Sequence, residues 1–215
     1  YGLNWAKEAM RKENRAIIAE GYLDLIRLAE SGFNNVVATL GTALTREQVQ
    51  VLKGFAEEVV LVYDGDQAGK KAMERGQELL IEAALQVKVV PLPEGNDPDS
   101  FIRKKGQEAF LSELKKAKVY PVYFMEQVLA SHRLEHLEER IKAVQKIIPV
   151  LSKIPSYPER AGYTKLLSER IDLPEEAIMA EMRKTGSLVR GLGGSLAQGK
   201  AKVTRSIEYQ FCQIV

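Results

Sequence analysis

Two short apolar runs that each end in acid constrain this chain more than anything else in it. Ala16-Ile17-Ile18-Ala19 runs into Glu20, and Val59-Val60-Leu61-Val62-Tyr63 runs into Asp64-Gly65-Asp66. Runs this short and this continuously apolar suit strands buried on both faces, the condition of a parallel sheet covered by helices. A helical pattern follows each run, so the unit is strand, acidic turn, helix. In open sheets of this kind ligands bind outside the carboxyl ends of the strands. Glu20, Asp64 and Asp66 therefore meet if their strands are neighbours. Three carboxylates in one cleft repel each other unless a cation sits among them, and hard oxygen donors suit Mg²⁺ or Mn²⁺. The expectation is a metal site for phosphoryl-transfer chemistry.

The rest of the chain fits around these runs. Tyr1 to Arg15 is amphipathic and reads as a helix leading into the first strand; it does not look like a natural protein start. Gly21 lets backbone approach a ligand, and a helix from Tyr22 to Glu30 stops at Ser31-Gly32. Asp24, one turn after Glu20, is either an acid supporting the metal ligands or a favourable charge at a helix start. A second strand spans Asn35 to Thr39, and the turn Leu40-Gly41-Thr42-Ala43-Leu44-Thr45 leads to a helix capped by Thr45 with Gln48. Gly41 and Thr42 are candidates to line a nucleotide pocket, although a structural turn explains them equally well. A helix from Gln67 to Ala84 and a fourth strand, Gln86 to Pro91, come next. In the following loop Asp97 stands before Pro98 as a helix cap, and Asp99 falls in the first turn. Either carboxylate can instead face the same cleft as Glu20. Helices from Phe101 to Lys105 and Glu108 to Lys116 close this unit.

From Pro121 the pattern becomes all-helical: Pro121 to Ala130, Leu137 to Ser152, Pro158 to Ile171 and Pro174 to Lys184, with Asp172 expected to cap the last. After Gly186 the composition turns to Gly, Ser, Ala, Lys and Arg, which reads as a linker, and Thr204 to Val215 reads as the start of another element. The expected division is 1–117 for the sheet unit, 118–185 for a helical bundle and 186–215 for the linker and the start of a further domain.

Composition sets limits on function. With 31 basic and 29 acidic residues among 215 the formal charge is only +2, so charge alone does not announce a nucleic-acid binder. The single Cys212 excludes an internal disulfide and suits a reducing cytoplasm. His132 and His136, four apart, read as a solvated helix face rather than a metal pair. No apolar run is long enough to cross a bilayer, so no membrane partner is expected.

Four motifs in this order and spacing point to a family. Glu20-Gly21-Tyr22-Leu23-Asp24, Leu40-Gly41-Thr42-Ala43-Leu44-Thr45, Tyr63-Asp64-Gly65-Asp66-Gln67-Ala68-Gly69 and Gly95-Asn96-Asp97-Pro98-Asp99 closely resemble the TOPRIM region of bacterial DnaG-type primases. The resemblance covers roughly Tyr1 to Lys116, and the helical segment to about Lys184 is similar to the bundle that closes the primase catalytic core. It implies an α/β fold, a TOPRIM-type Rossmann-like sheet of about four mainly parallel strands flanked by helices, followed by a small all-α bundle.

The resemblance also implies chemistry. Glu20, Asp64 and Asp66 are the implied metal-binding acids of a polymerase site, with Asp64 shared between ions. Asp24, Asp97 and Asp99 match further acids that bind or support additional ions. The implied cofactors are two or more Mg²⁺ or Mn²⁺ ions, with zinc only in an N-terminal module that this sequence lacks. The implied activity is synthesis of short RNA primers on single-stranded DNA from ribonucleoside triphosphates, in the cytoplasm at the replication fork. The implied partners are the replicative helicase, through a C-terminal domain mostly absent here, and single-stranded DNA-binding protein. The basic half of the catalytic domain is also absent, so the chain by itself is expected to be inactive. Competing readings are another TOPRIM enzyme, such as a topoisomerase or an OLD-type nuclease, and a non-catalytic TOPRIM module that binds DNA or protein, as in recombination mediators.

Overall fold

The structure is a computed structural model that describes residues 1–40, 43–63, 76–93 and 95–192, with side chains described to residue 184 except at 63. Helix α1 (Leu3–Glu13) leads into β1 (Arg15–Ala19), followed by α2 (Tyr22–Glu30), β2 (Val36–Ala38), α3 (Arg46–Lys53) and β3 (Glu58–Tyr63). Residues 76–82 form the described part of α4, which feeds β4 (Gln86–Pro91). Then come α5 (Pro98–Lys105), α6 (Gln107–Lys115), the short β5 (Lys118–Val119), and α7 (Tyr120–Ala130), α8 (Leu137–Ser152), α9 (Tyr157–Ile171) and α10 (Glu175–Leu192).

The sheet has the order β2-β1-β3-β4-β5. The first four strands run parallel, and β5 adds an antiparallel edge through Lys88 opposite Val119. The apolar runs divide by parity, as the pleat of a strand dictates. Ala16, Ile18, Val59, Leu61, Val87 and Val89 enter a core with α1, α3, α4 and the four C-terminal helices, while Ile17, Ala19, Val60, Val62 and Val90 pack on α2, α5 and α6. Burial on both faces explains why these strands read as unbroken apolar runs. Ion pairs fix the register at the amino ends: Glu58 on β3 takes Arg15 of β1 at 2.7 Å and Lys88 of β4 at 2.5 Å.

The C-terminal helices share the first of these cores rather than enclosing one apart. Met125, Ile147, Leu151, Leu167 and Ile171 belong to the same continuous cluster as Leu80 and Leu85 beside the sheet. Lys153, just past α8, ties in as well by pairing with Glu78 on α4.

Several local expectations need correction. Asp172 does not cap α10. It closes α9 in the left-handed conformation at φ 54°, which Asp tolerates better than most residues, and its carboxylate accepts from Arg140 at 3.1 Å. Helix α10 instead starts from the Pro174 carbonyl, which accepts the Ala177 and Ile178 amides, and its backbone runs on to Leu192, beyond the compositional shift at Gly186. His132 and His136 do not share a helix face: they lie in the turn between α7 and α8, where His132 Nδ1 contacts the Val128 carbonyl at 2.8 Å. Helix α5 begins at Pro98 rather than Phe101, because Asp97 caps it. No described helix is long and apolar enough to cross a membrane.

Candidate active site

The order of the strands decides where the two acidic turns lie. From β1 the chain passes through α2 on one face to β2, then through α3 on the opposite face to β3, which lies on the other side of β1. The crossovers diverge between β1 and β3, and such a switch point opens a crevice at the carboxyl ends of the strands. Ala19 is level with Val62, so Glu20 leaves β1 alongside Tyr63 at the end of β3. The neighbour relation required for convergence is therefore met. Asp64 and Asp66 follow Tyr63 directly in sequence but lie outside the described residues, as do Gly41 and Thr42. Glu20 is half-buried, and its carbonyl accepts the amide of Leu40 at 2.9 Å, which draws the turn after β2 over the end of β1. Leu40 itself takes a left-handed φ of 57°.

Beside this crevice the β1–α2 turn is joined to the start of α5. Gly21 caps α2, and its amide donates to Asp24 Oδ2 at 3.2 Å. A Cβ at Gly21 would stand 3.1 Å from that oxygen, a tight contact that the Asp24 carboxylate would have to shift to relieve. The other oxygen of Asp24 accepts the Asp99 amide at 3.3 Å, from across the sheet face. Asp24 is only 8% exposed. Burial pushes its pKa up; the amides of Asp99 and Gly21 pull it back, and the negative charges of Asp97 and Asp99 push it up again. Those last influences show that the three carboxylates are close enough to feel one another.

Asp97 and Asp99 divide their roles. Asp97 caps α5 by accepting the Ser100 amide at 2.6 Å, with Pro98 in the first turn. Asp99 accepts from Arg27 Nε of α2 at 2.8 Å and from Arg103 Nε, one turn along α5, at 3.1 Å. The Arg27 hydrogen bond, foremost, holds the Asp99 carboxyl below its ordinary pKa, with Arg103 adding to it. Arg27 also reaches Glu30 at 3.0 Å. Sequence reasoning missed both arginines. The spacing of Asp99 and Arg103 on one helix was a usable signal; the Arg27–Asp99 pair joins distant segments and left none. Among the described residues no three acidic, His or Cys side chains are set to share one ion. The expected trio has two of its members outside them.

A family model described as Toprim-like matches residues 17–102, and one described as the DnaB-helicase binding domain of primase matches residues 122–176. A DNA primase of Clostridium acetobutylicum is 36% identical over 204 residues, covering 93% of this chain and 34% of that protein. The chain belongs to the DnaG-type DNA primase family. It spans about a third of the length of the curated relatives it matches. A DNA primase domain from Pseudomonas aeruginosa superposes with a TM-score of 0.77 at 34% identity, covering 85% of this chain and 58% of that one. A DnaG primase catalytic domain bound to single-stranded DNA gives 0.74 at 29% identity over 82% of this chain and 57% of that one.

Within this primase chain the Toprim-like match contains the switch point and every acid of the candidate site. The fold is the expected TOPRIM α/β arrangement, with the antiparallel β5 as an addition. Matches to primases favour that reading over a topoisomerase, an OLD-type nuclease or a recombination mediator. The helicase-binding match falls on α7 to α9, whereas the sequence placed helicase contact in a domain beyond the linker.

Proposed function

We propose that this chain is the metal-binding portion of a primase catalytic core, which makes short RNA primers on single-stranded DNA from ribonucleoside triphosphates. The observation that supports it most is the pairing of β1 with β3 at the switch point, which sets Glu20 beside the strand that delivers Asp64 and Asp66. The donors suit divalent ions: Glu20, Asp24, Asp97 and Asp99 are all hard carboxylates, placed in the turn after β1, the first turn of α2, the loop after β4 and the first turn of α5. Glu20, Asp64 and Asp66 would hold two or more Mg²⁺ or Mn²⁺ ions, with Asp24, Asp97 and Asp99 as further ligands or supports. Such ions, when bound, supply Lewis acidity to the attacking hydroxyl and the triphosphate.

The chain's own residues prepare that site. Asp24 holds the Gly21 and Asp99 amides, which fixes the Glu20 turn against the start of α5. Asp97 and Pro98 start α5, and Arg27 with Arg103 orients the Asp99 carboxylate. Gly21, with Gly41 and Thr42, would serve nucleotide binding. In this reading residues 1–117 with the edge strand β5 form the catalytic subdomain, helices α7 to α10 the bundle, and the residues beyond α10 the linker with the start of a further domain. The helicase binds through the bundle or the domain beyond it, single-stranded DNA-binding protein acts alongside, and the work takes place in the cytoplasm.

The test is primer synthesis on a single-stranded template. The chain extended upstream of Tyr1 is expected to make short RNA that Asp64→Asn abolishes, and the chain as given to make none. Robust synthesis by the chain alone, or synthesis indifferent to Asp64→Asn, overturns the proposal.

A further inference from the structure

The candidate site already contains a cation of its own. Arg27 comes from α2, directs Nε at Asp99 Oδ1 at 2.8 Å, and holds Glu30 with Nη1 at 3.0 Å. Its side chain is 31% exposed against 64% for Arg103, the second arginine on the same carboxylate. The Asp99 main chain does not depend on either arginine, because its amide is held by the buried Asp24 carboxylate and its helix by the Asp97 cap. The Asp99 carboxylate can therefore exchange partners while its backbone stays in place.

From this, and resting on the divalent-ion reading above, we infer that Arg27 is a resident counter-cation of the site: it holds the Asp99 carboxylate in the ion-free protein and yields it when a divalent ion binds. A guanidinium cannot be deprotonated near neutral pH, so Arg27 never withdraws by losing its charge and has to be displaced. Its positive charge also opposes that of an arriving ion. Glu30 gives it a second acceptor to keep once Asp99 is surrendered. Arg27 in this role is a positioning residue that raises the ion concentration at which the site fills and protects the acidic cluster until then.

The direction of the effect separates this role from a structural one. Were Arg27 only a strut, its removal would loosen the turn and weaken ion binding. As a counter-cation, its removal tightens binding. The experiment is a Mn²⁺ titration of the whole chain by electron paramagnetic resonance, with Arg27→Gln and Arg27→Lys beside the parent, and thermal melting of each with and without Mn²⁺. Arg27→Gln is expected to bind Mn²⁺ about two- to fivefold more tightly, the size of a solvent-screened ion pair, to melt lower than the parent without ion, and to recover that deficit with Mn²⁺. Arg27→Lys, still charged but without the fork that spans Asp99 and Glu30, is expected to fall between the parent and Arg27→Gln. Equal or weaker Mn²⁺ binding by Arg27→Gln overturns the inference and leaves the metal site standing. Failure of the parent itself to bind overturns both.

Discussion

Replacing Asp24 by alanine tests whether the acidic cleft is held together as its hydrogen bonds indicate. The side chain is 8% exposed and accepts two backbone amides, from Gly21 at 3.2 Å and from Asp99 at 3.3 Å. Each amide left without a partner in a buried place costs about 1–2 kcal/mol. Removing a buried charge that sits among Asp97 and Asp99 returns roughly 1 kcal/mol. The net loss is about 2 kcal/mol, or a fall in melting temperature of about 4–8 °C for a chain of this size. Asp24→Asn keeps one acceptor oxygen and should lose about half as much. The assay is thermal melting by circular dichroism across pH. Because burial raises the Asp24 pKa in the folded state, its contribution is fully present below the unfolded value, about 3.9, and declines as pH rises through the folded value. The deficit of Asp24→Asn against the parent should therefore grow as pH falls from neutral towards about 4. A neutral or stabilising Asp24→Ala, or a deficit that shrinks on acidification, refutes the reasoning.

Other substitutions test other parts of the account. Phe110 is fully buried, with ring centres of Phe33 and Phe101 at 5.0 and 6.3 Å, so Phe110→Ala should cost about 3–5 kcal/mol, read as a lower urea midpoint. Gln77 is 1% exposed on α4 with no hydrogen bond to its Oε1, and Gln77→Leu should raise the melting temperature by about 2–4 °C. The Asp99 carboxyl is held below its ordinary pKa by Arg27, so the stability this pair supplies is present above the unfolded value, about 3.9, and is lost as pH falls through the folded value. Acid melting curves of the parent and Arg27→Gln should accordingly converge at low pH.

The parts of the fold that were legible in the sequence are those governed by local patterns. Ala16 to Ala19 and Val59 to Tyr63 read as strands because burial on both faces leaves no polar alternation to confuse the pattern. The capping box of Thr45 and Gln48 formed as its spacing requires. Strand β5 escaped notice because two residues, Lys118 and Val119, have no periodicity to read. Asp172 was misread because an acid ahead of Leu173-Pro174 has the appearance of an N-cap, while here its own amide and that of Leu173 close α9 onto the Ser168 carbonyl. In the site, Glu20, Asp24, Asp97 and Asp99 were visible as acids at strand ends. Their partners were not. Whether Asp24 supports a ligand or merely starts a helix turned on the Asp99 amide, and the state of Asp99 turned on Arg27, both supplied by chain far away in sequence. Long-range pairing of this sort appears only once the sheet has brought α2 and α5 side by side.

The central claim is that Glu20, Asp64 and Asp66 form a divalent-ion site at the β1–β3 switch point. Its most direct test is Mn²⁺ titration by calorimetry of the chain beside a double variant, Asp64→Asn with Asp66→Asn, whose fold is verified by circular dichroism. The account predicts stoichiometric binding by the parent and its loss in the folded variant. Equal binding by the two proteins, or none by either, contradicts it.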